Sequence, residues 1–185
     1  MVADRRTAVA SSLAVVVTPA AAARAVTGSL RSRQQSFPMK PKQFIQALDH
    51  PRIATAITAA ERSSSGQIRV FVSHRAVDDA LSAARERFAK LGMEKTAARN
   101  AVLVFFAPEA QKYAVVGDQG IHARCGGDGF WQELVGSTMR PLLKAGRYTD
   151  AVTTAVEAVG RTLAEHFPPG PGAPINELPD AVEED

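Results

Sequence analysis

Residues 101–107 read Ala-Val-Leu-Val-Phe-Phe-Ala, an unbroken apolar run of seven. It is too short for a typical helix and rich in β-branched and aromatic side chains, so it reads as a central strand buried on both faces. That requirement constrains everything else, because such a strand needs a partner on each side and a layer of helices above and below. Pro108-Glu109-Ala110-Gln111 makes a turn, and Lys112 to Gly117 (KYAVVG) supplies the next strand. So short a connection makes the pair an antiparallel hairpin. Gln67 to His74 (QIRVFVSH) alternates, with Ile68, Val70 and Val72 on one face and Arg69 and Phe71 on the other.

Helical periods fill the spaces between. Phe44, Ile45 and Leu48 share a face, and Pro51 restarts a helix carrying Ile53, Ile57 and Ala60. Ser63-Ser64-Ser65-Gly66 breaks it. Asp78 is read as the cap of a helix with Leu81, Ala84, Phe88 and Leu91 on its stripe, ended by Gly92. A helix from about Phe130 carries Trp131, Leu134, Val135 and Met139 as core, and Pro141 kinks or restarts it. A last helix carries Val152, Val156, Val159 and Leu163 and stops at Pro168. The expected fold is a three-layer α/β/α sandwich around a short mixed sheet with one antiparallel hairpin.

The ends read differently from the middle. Residues 1–38 are expected to be an unstructured extension, either a weak signal or transit peptide or a mis-assigned start ahead of Met39. Residues 39–168 form one domain, and 169–185, Pro-rich and acidic without a base, are expected to be disordered. The formal net charge of +3 is misleading, because residues 1–38 carry +4 and the remainder −1. No basic stripe falls on a folded face, which argues against nucleic acid. No uncharged apolar run is long enough to span a bilayer. The single cysteine, Cys125, excludes an internal disulfide framework. The expected location is cytoplasmic, or exported if residues 1–25 are a genuine signal peptide.

Chemistry concentrates in residues 115–134, VVGDQGIHARCGGDGFWQEL. Asp118 ends a strand at Gly117 and either caps the following helical turn or lines a ligand crevice; the two roles are compatible. Gly117 and Gly120 permit close backbone approach. Asp128 stands as an N-cap before Phe130-Trp131. Arg99 and Asn100 precede the buried strand, where the arginine either neutralises an anion or pairs with a carboxylate. Glu61 reads as a solvated residue at the end of its helix. His122 and Cys125 lack the partners of a zinc site. The phosphate-loop, nucleophile-elbow and Cys-x5-Arg patterns are absent from the sequence, so a hydrolase here would rely on a metal held by carboxylates.

One ordered series of residues resembles a known family. It runs through Ala60-Glu61, Ser65-Gly66-Gln67-Ile68-Arg69-Val70, Leu91-Gly92-Met93 with Thr96, and Arg99-Asn100-Ala101-Val102-Leu103. It continues through Val116-Gly117-Asp118-Gln119-Gly120-Ile121, Phe130-Trp131, Gly146-Arg147-Tyr148 and His166-Phe167-Pro168. The series is similar to the TPM domain over roughly residues 43–168, a family that includes a thylakoid-lumen phosphatase, a photosystem II repair protein and a nematode receptor auxiliary protein. Gln67 stands where the family usually has Glu, and Ala101 where it often has Gly. The resemblance implies an α/β/α fold and a carboxylate-lined cleft that takes divalent cations, Ca2+ among them. By position, Asp118, Asp128 and Glu61 are the metal candidates, and Arg99, Asn100, Gly117 and Gly120 the ligand-binding candidates. Two functions follow from it: an interaction or regulatory module with an unidentified protein partner, or a metal-dependent acid phosphatase acting on phosphomonoesters.

Overall fold

The computed structural model describes residues 14–17, 39–170 and 182–185. In order these form β1 (Ala14–Val17), α1 (Pro41–Gln46), α2 (His50–Arg62), β2 (Gln67–Val72), α3 (Ala80–Lys90), β3 (Ala101–Ala107) and β4 (Lys112–Gly117). The chain continues through α4 (Gln119–Arg124), α5 (Asp128–Glu133), α6 (Arg140–Lys144), α7 (Tyr148–His166) and β5 (Val182–Glu184). The sheet runs β1-β4-β3-β2-β5. β3 pairs antiparallel with β4 and parallel with β2, so the expected hairpin and mixed sheet are both present.

β3 is buried along its whole length, as its composition requires. Val102, Val104 and Phe106 join Ile68, Val70 and Val72 against α1, α2, α5 and α7, with Trp131 fully enclosed in that layer. Leu103 and Phe105 join Phe71, Ala114 and Val116 against Ala80, Ala84 and Phe88 of α3 and against Met93. The period of two along each strand thus feeds two separate cores. Two prolines act as helix starters, as read from sequence: Pro51 opens α2 behind the Asp49 cap, and Pro141 opens α6. Ahead of Pro141, Leu134–Met139 winds as a π-helix. A proline there has no N–H to donate to the preceding turn, and the wider winding absorbs that loss without breaking the rod.

Four local expectations are corrected. Ala14–Val17, assigned to an unstructured extension, forms an edge strand antiparallel to β4, from Ala14 opposite Val116 to Val17 opposite Tyr113. Three consecutive valines favour extended backbone, and four residues are too few to show a period in the sequence. Val182–Glu184, assigned to a disordered tail, pairs in parallel with β2 at the other edge. Residues 1–13, 18–38 and 171–181 lie outside the described residues. The α3 cap is Asp79, whose carboxylate accepts from the Leu81 N–H at 2.9 Å and from the Ser82 hydroxyl at 2.6 Å, and not Asp78. The α5 cap is Gly127 and not Asp128, which is the first residue of the helix.

The first turn of α7 is tied to α2 through Asp150. Its two carboxylate oxygens accept from Arg52 Nη1 at 2.7 Å and Arg147 Nε at 2.8 Å. These two hydrogen bonds, Arg147's first, hold the Asp150 carboxyl below its ordinary value. A carboxyl whose folded pKa is depressed stabilises the fold above its unfolded value, and the contribution is lost as pH falls through the folded one. The side chain is a quarter exposed, so solvent screening keeps the effect small. Asp150→Asn is expected to lower stability at neutral pH by no more than about 1 kcal/mol. In urea titrations the difference from wild type should close in acid, below the ordinary carboxylate range.

Candidate functional site

Three strand ends meet at one end of the sheet: β2 starts at Gln67, β3 starts at Ala101 and β4 ends at Gly117. Gln67 pairs with Ala101, and the Asp118 N–H donates to the Ala101 carbonyl at 2.9 Å. Gln67, Ala101 and Asp118 therefore form one row across the sheet, with side chains on the same face and only a methyl group between the amide and the carboxylate. By alternation this is the face that α3 covers. All three residues are buried.

Asp118 takes the capping role weighed from sequence and is also the carboxylate that pairs with Arg99. Its Oδ1 accepts from the Gln119 N–H at 2.7 Å, capping α4. The Arg99 guanidinium straddles its two oxygens, with Nε 3.1 Å from Oδ1 and 3.0 Å from Oδ2. The carboxylate is fully enclosed while the arginine is 43% exposed, so the pair faces solvent through its cation. Arg99 itself is left-handed, with φ of 53°. That conformation is held by its carbonyl, which accepts from the N–H groups of Gly120 at 2.8 Å and Ile121 at 3.2 Å. Arg99 thus caps the same helix a second time. A Cβ on Gly120 would stand 2.3 Å from the Ala98 carbonyl oxygen and 2.6 Å from that of Arg99, which explains why glycine is needed there. Gly117 is required for a different reason: a Cβ there would stand 2.2 Å from the ring of Trp131.

Asn100, one residue ahead of β3, donates from Nδ2 to the Ser65 hydroxyl at 3.2 Å. Glu61 is not a solvated helix residue. Its Oε1 accepts from the Ile68 N–H at 2.8 Å and ties the end of α2 to the start of β2. Asp128 is exposed on α5, whereas Asp118 is fully buried. Among the described residues, no group of three or more His, Cys, Asp or Glu side chains is arranged to hold a metal ion. The His-x-x-Cys spacing has a structural use: His122 Nδ1 accepts from Trp131 Nε1 at 3.1 Å, and Cys125 Sγ donates to the His122 carbonyl at 3.6 Å. Burial pushes the Cys125 thiol up, away from a reactive thiolate. The Gly126-Gly127 pair supplies two consecutive positive φ angles, 93° and 66°, that turn the chain into α5.

What sequence reasoning missed is a set of neutral oxygens. Gln67 Oε1, Thr96 Oγ1 and Asn100 Oδ1 are buried at this end without a hydrogen-bond partner among the described residues. Oxygen donors of this type suit a hard cation or an ordered water. They do not all face one point, because alternation sends Gln67 to the Asp118 face and Asn100 to the side of Ser65. Of the three, Gln67 lies in the same row as the Asp118 carboxylate.

The chain is a three-layer α/β/α domain with a polar row at the strand ends and a half-exposed arginine beside a buried aspartate. The TPM domain family model matches residues 39–162, and the chain belongs to that family. The NMR structure of the BA42 protein from the psychrophilic bacterium Bizionia argentinensis is similar, with a TM-score of 0.65 and 27% identity over 74% of this chain and 92% of that one. Among curated proteins, none matches this chain.

The packing at Gly120 yields a direct test. Gly120→Ala forces a methyl group against two backbone carbonyls, which cannot rotate away, and is expected to destabilise the fold by roughly 1–3 kcal/mol. Gly129, where a Cβ meets open space, is the control; Gly129→Ala should be neutral or slightly stabilising. Chemical denaturation of both variants checks the contrast.

Proposed function

We propose that the chain is a non-enzymatic interaction or regulatory module, not a phosphatase. The observation that carries this reading is the engagement of Asp118. It is fully buried, bonded to Arg99 and committed to the α4 cap. Metal-assisted hydrolysis of a phosphomonoester needs an ion held by carboxylates with a coordination position open to substrate. Here Glu61 is tied to the Ile68 N–H and Asp128 stands apart in solvent, so each family-matched carboxylate has a different environment. Ties of this kind stabilise the loops that frame the sheet end, which suits a surface that binds.

A second element of the reading is a weak response to a hard cation, supported by Gln67 Oε1, which lies in the same row as Asp118 and has no hydrogen-bond partner among the described residues. With amide in place of carboxylate at position 67, the row keeps an oxygen donor and loses a charge, and affinity for Ca2+ falls with ligand charge.

Two measurements test these statements. Hydrolysis of p-nitrophenyl phosphate, at acidic and neutral pH with Ca2+, Mg2+ or Mn2+, should be no faster for wild type than for Asp118→Asn. Turnover that the substitution removes would establish the phosphatase instead. In thermal melts, millimolar Ca2+ should stabilise Gln67→Glu more than wild type, with a gain of about 2.7 kcal/mol at a hundredfold excess over the dissociation constant. Asp118→Asn should respond to neither ion nor substitution at 67. Melts of wild type and Gln67→Glu that are unchanged by any of the three ions would remove the cation from the reading.

A further inference from the structure

Protonation acts differently on the ring hydrogen bonds of the histidines. His50 Nε2 lies 3.0 Å from the Ile45 carbonyl oxygen, and His74 Nε2 lies 2.6 Å from a Glu184 carboxylate oxygen. Carbonyl and carboxylate accept, so each ring already donates, and a second ring proton leaves both bonds in place. His122 is the reverse case. Its Nδ1 lies 3.1 Å from Trp131 Nε1, and an indole N–H can only donate. Nδ1 therefore holds a lone pair, and the ring proton sits on Nε2. A second proton on this ring and the hydrogen bond to Trp131 exclude each other.

We propose that the bond between His122 and Trp131 is an acid-sensitive latch on α4, the helix that Asp118 and Arg99 cap, and that protonating His122 loosens that helix and the indole together. α4 is short and buries one side chain, Ile121, so its end contacts hold it in place. Its first turn is fixed by the Asp118 carboxylate and the Arg99 carbonyl. Its last turn is fixed by Trp131 and by Arg124, whose Nη1 donates to the His166 carbonyl at 2.9 Å. The indole also reaches back to the other end of the helix. It is fully enclosed, and its ring lies so close to Gly117 that a Cβ there would stand 2.2 Å from Cζ2. One rigid ring thus spans from His122 to the residue before Asp118. When His122 takes a second proton, the buried indole N–H loses its acceptor and meets a donor, and an unsatisfied buried donor is costly. The ring has to move, and both ends of α4 are in contact with what moves.

His122 is half-buried, so protons reach it from solvent. Among the described residues, no charged side chain is hydrogen-bonded to it. On its own element, Asp118 is engaged by Arg99, and Arg124 is turned toward His166 and Phe167. The charged groups on the neighbouring stretches of α5 and α7 are Asp128, Glu133, Arg161 and Glu165, all exposed, with His166 half-buried. Water and salt screen exposed charges of both signs, so the hydrogen bond to Trp131 decides the response. The latch belongs to the packing behind Asp118, so it stands whether or not the sheet end takes a cation.

The test reads Trp131, the only tryptophan of the chain, in the full-length protein. Acrylamide quenching of its fluorescence is followed from about pH 8 to about pH 5, the range in which histidine takes up its proton. Circular dichroism at each pH confirms that the domain stays folded. In wild type the population with the indole released should rise about tenfold, the factor that one net hydrogen bond represents. Amide resonances of Gln119 and Gly120 should shift with the same midpoint as the indole N–H. His122→Gln supplies a neutral acceptor that cannot titrate, so its quenching and its α4 resonances should stay constant. His166→Gln, which leaves the latch intact, should keep the wild-type response. Quenching in wild type that does not change over this range overturns the proposal without recourse to any variant. A response that persists in His122→Gln, or that disappears in His166→Gln, overturns it as well. An indole that titrates while Gln119 and Gly120 stay still would show a local bond with no hold on α4, and equally sink the latch.

Discussion

The double burial of β3 is the constraint on which the rest of the structure depends. A strand with apolar side chains on both faces and neighbours on both sides has no surface left for water. It therefore dictates two cores, one toward α1, α2, α5 and α7 and the other toward α3. The loops that enter and leave β3 and β4 inherit a fixed frame from it. Asp118 is level with Ala101 because β4 is in register with β3, and that level is where the helix cap, the Arg99 pair and the Gln67 amide come together.

How legible each part was in the sequence follows from how long its pattern runs. β3, the hairpin, α2 and α7 announce themselves through extended periods bounded by Pro, Gly and Ser, and they fold as read. β1 and β5 were missed because four and three residues cannot display a period, and because their pairing is decided by the free edges of β4 and β2. The choice of Asp79 over Asp78 as a cap depends on local backbone angles that two adjacent aspartates do not reveal. Asp128 looks like a cap until the left-handed Gly127 takes the position first.

At the sheet end, Asp118, Arg99 and Asn100 could be picked out as residue types at strand boundaries. Their mutual bonds could not, since these depend on which strands lie side by side. Glu61 looked solvated because a helix terminus usually is, but the start of β2 passes close enough to use its carboxylate. The visible but unused signal was Arg69. A charge at an inward position of an otherwise apolar strand demands a counter-charge from somewhere, and the only acid-rich stretch without bases was the tail.

The boundaries of the family match, residues 39–162, leave both outer strands of the sheet outside it. The inner strands and the outer strands of the sheet are thus written in separate parts of this chain. The interior is laid down by the matched region together with Leu163 and Phe167 just past it, whereas the two edges of the sheet are formed by two short runs, Ala14–Val17 and Val182–Glu184. The second run is not wholly detached from the interior, because Val182 packs on the core and Glu183 pairs with the buried Arg69.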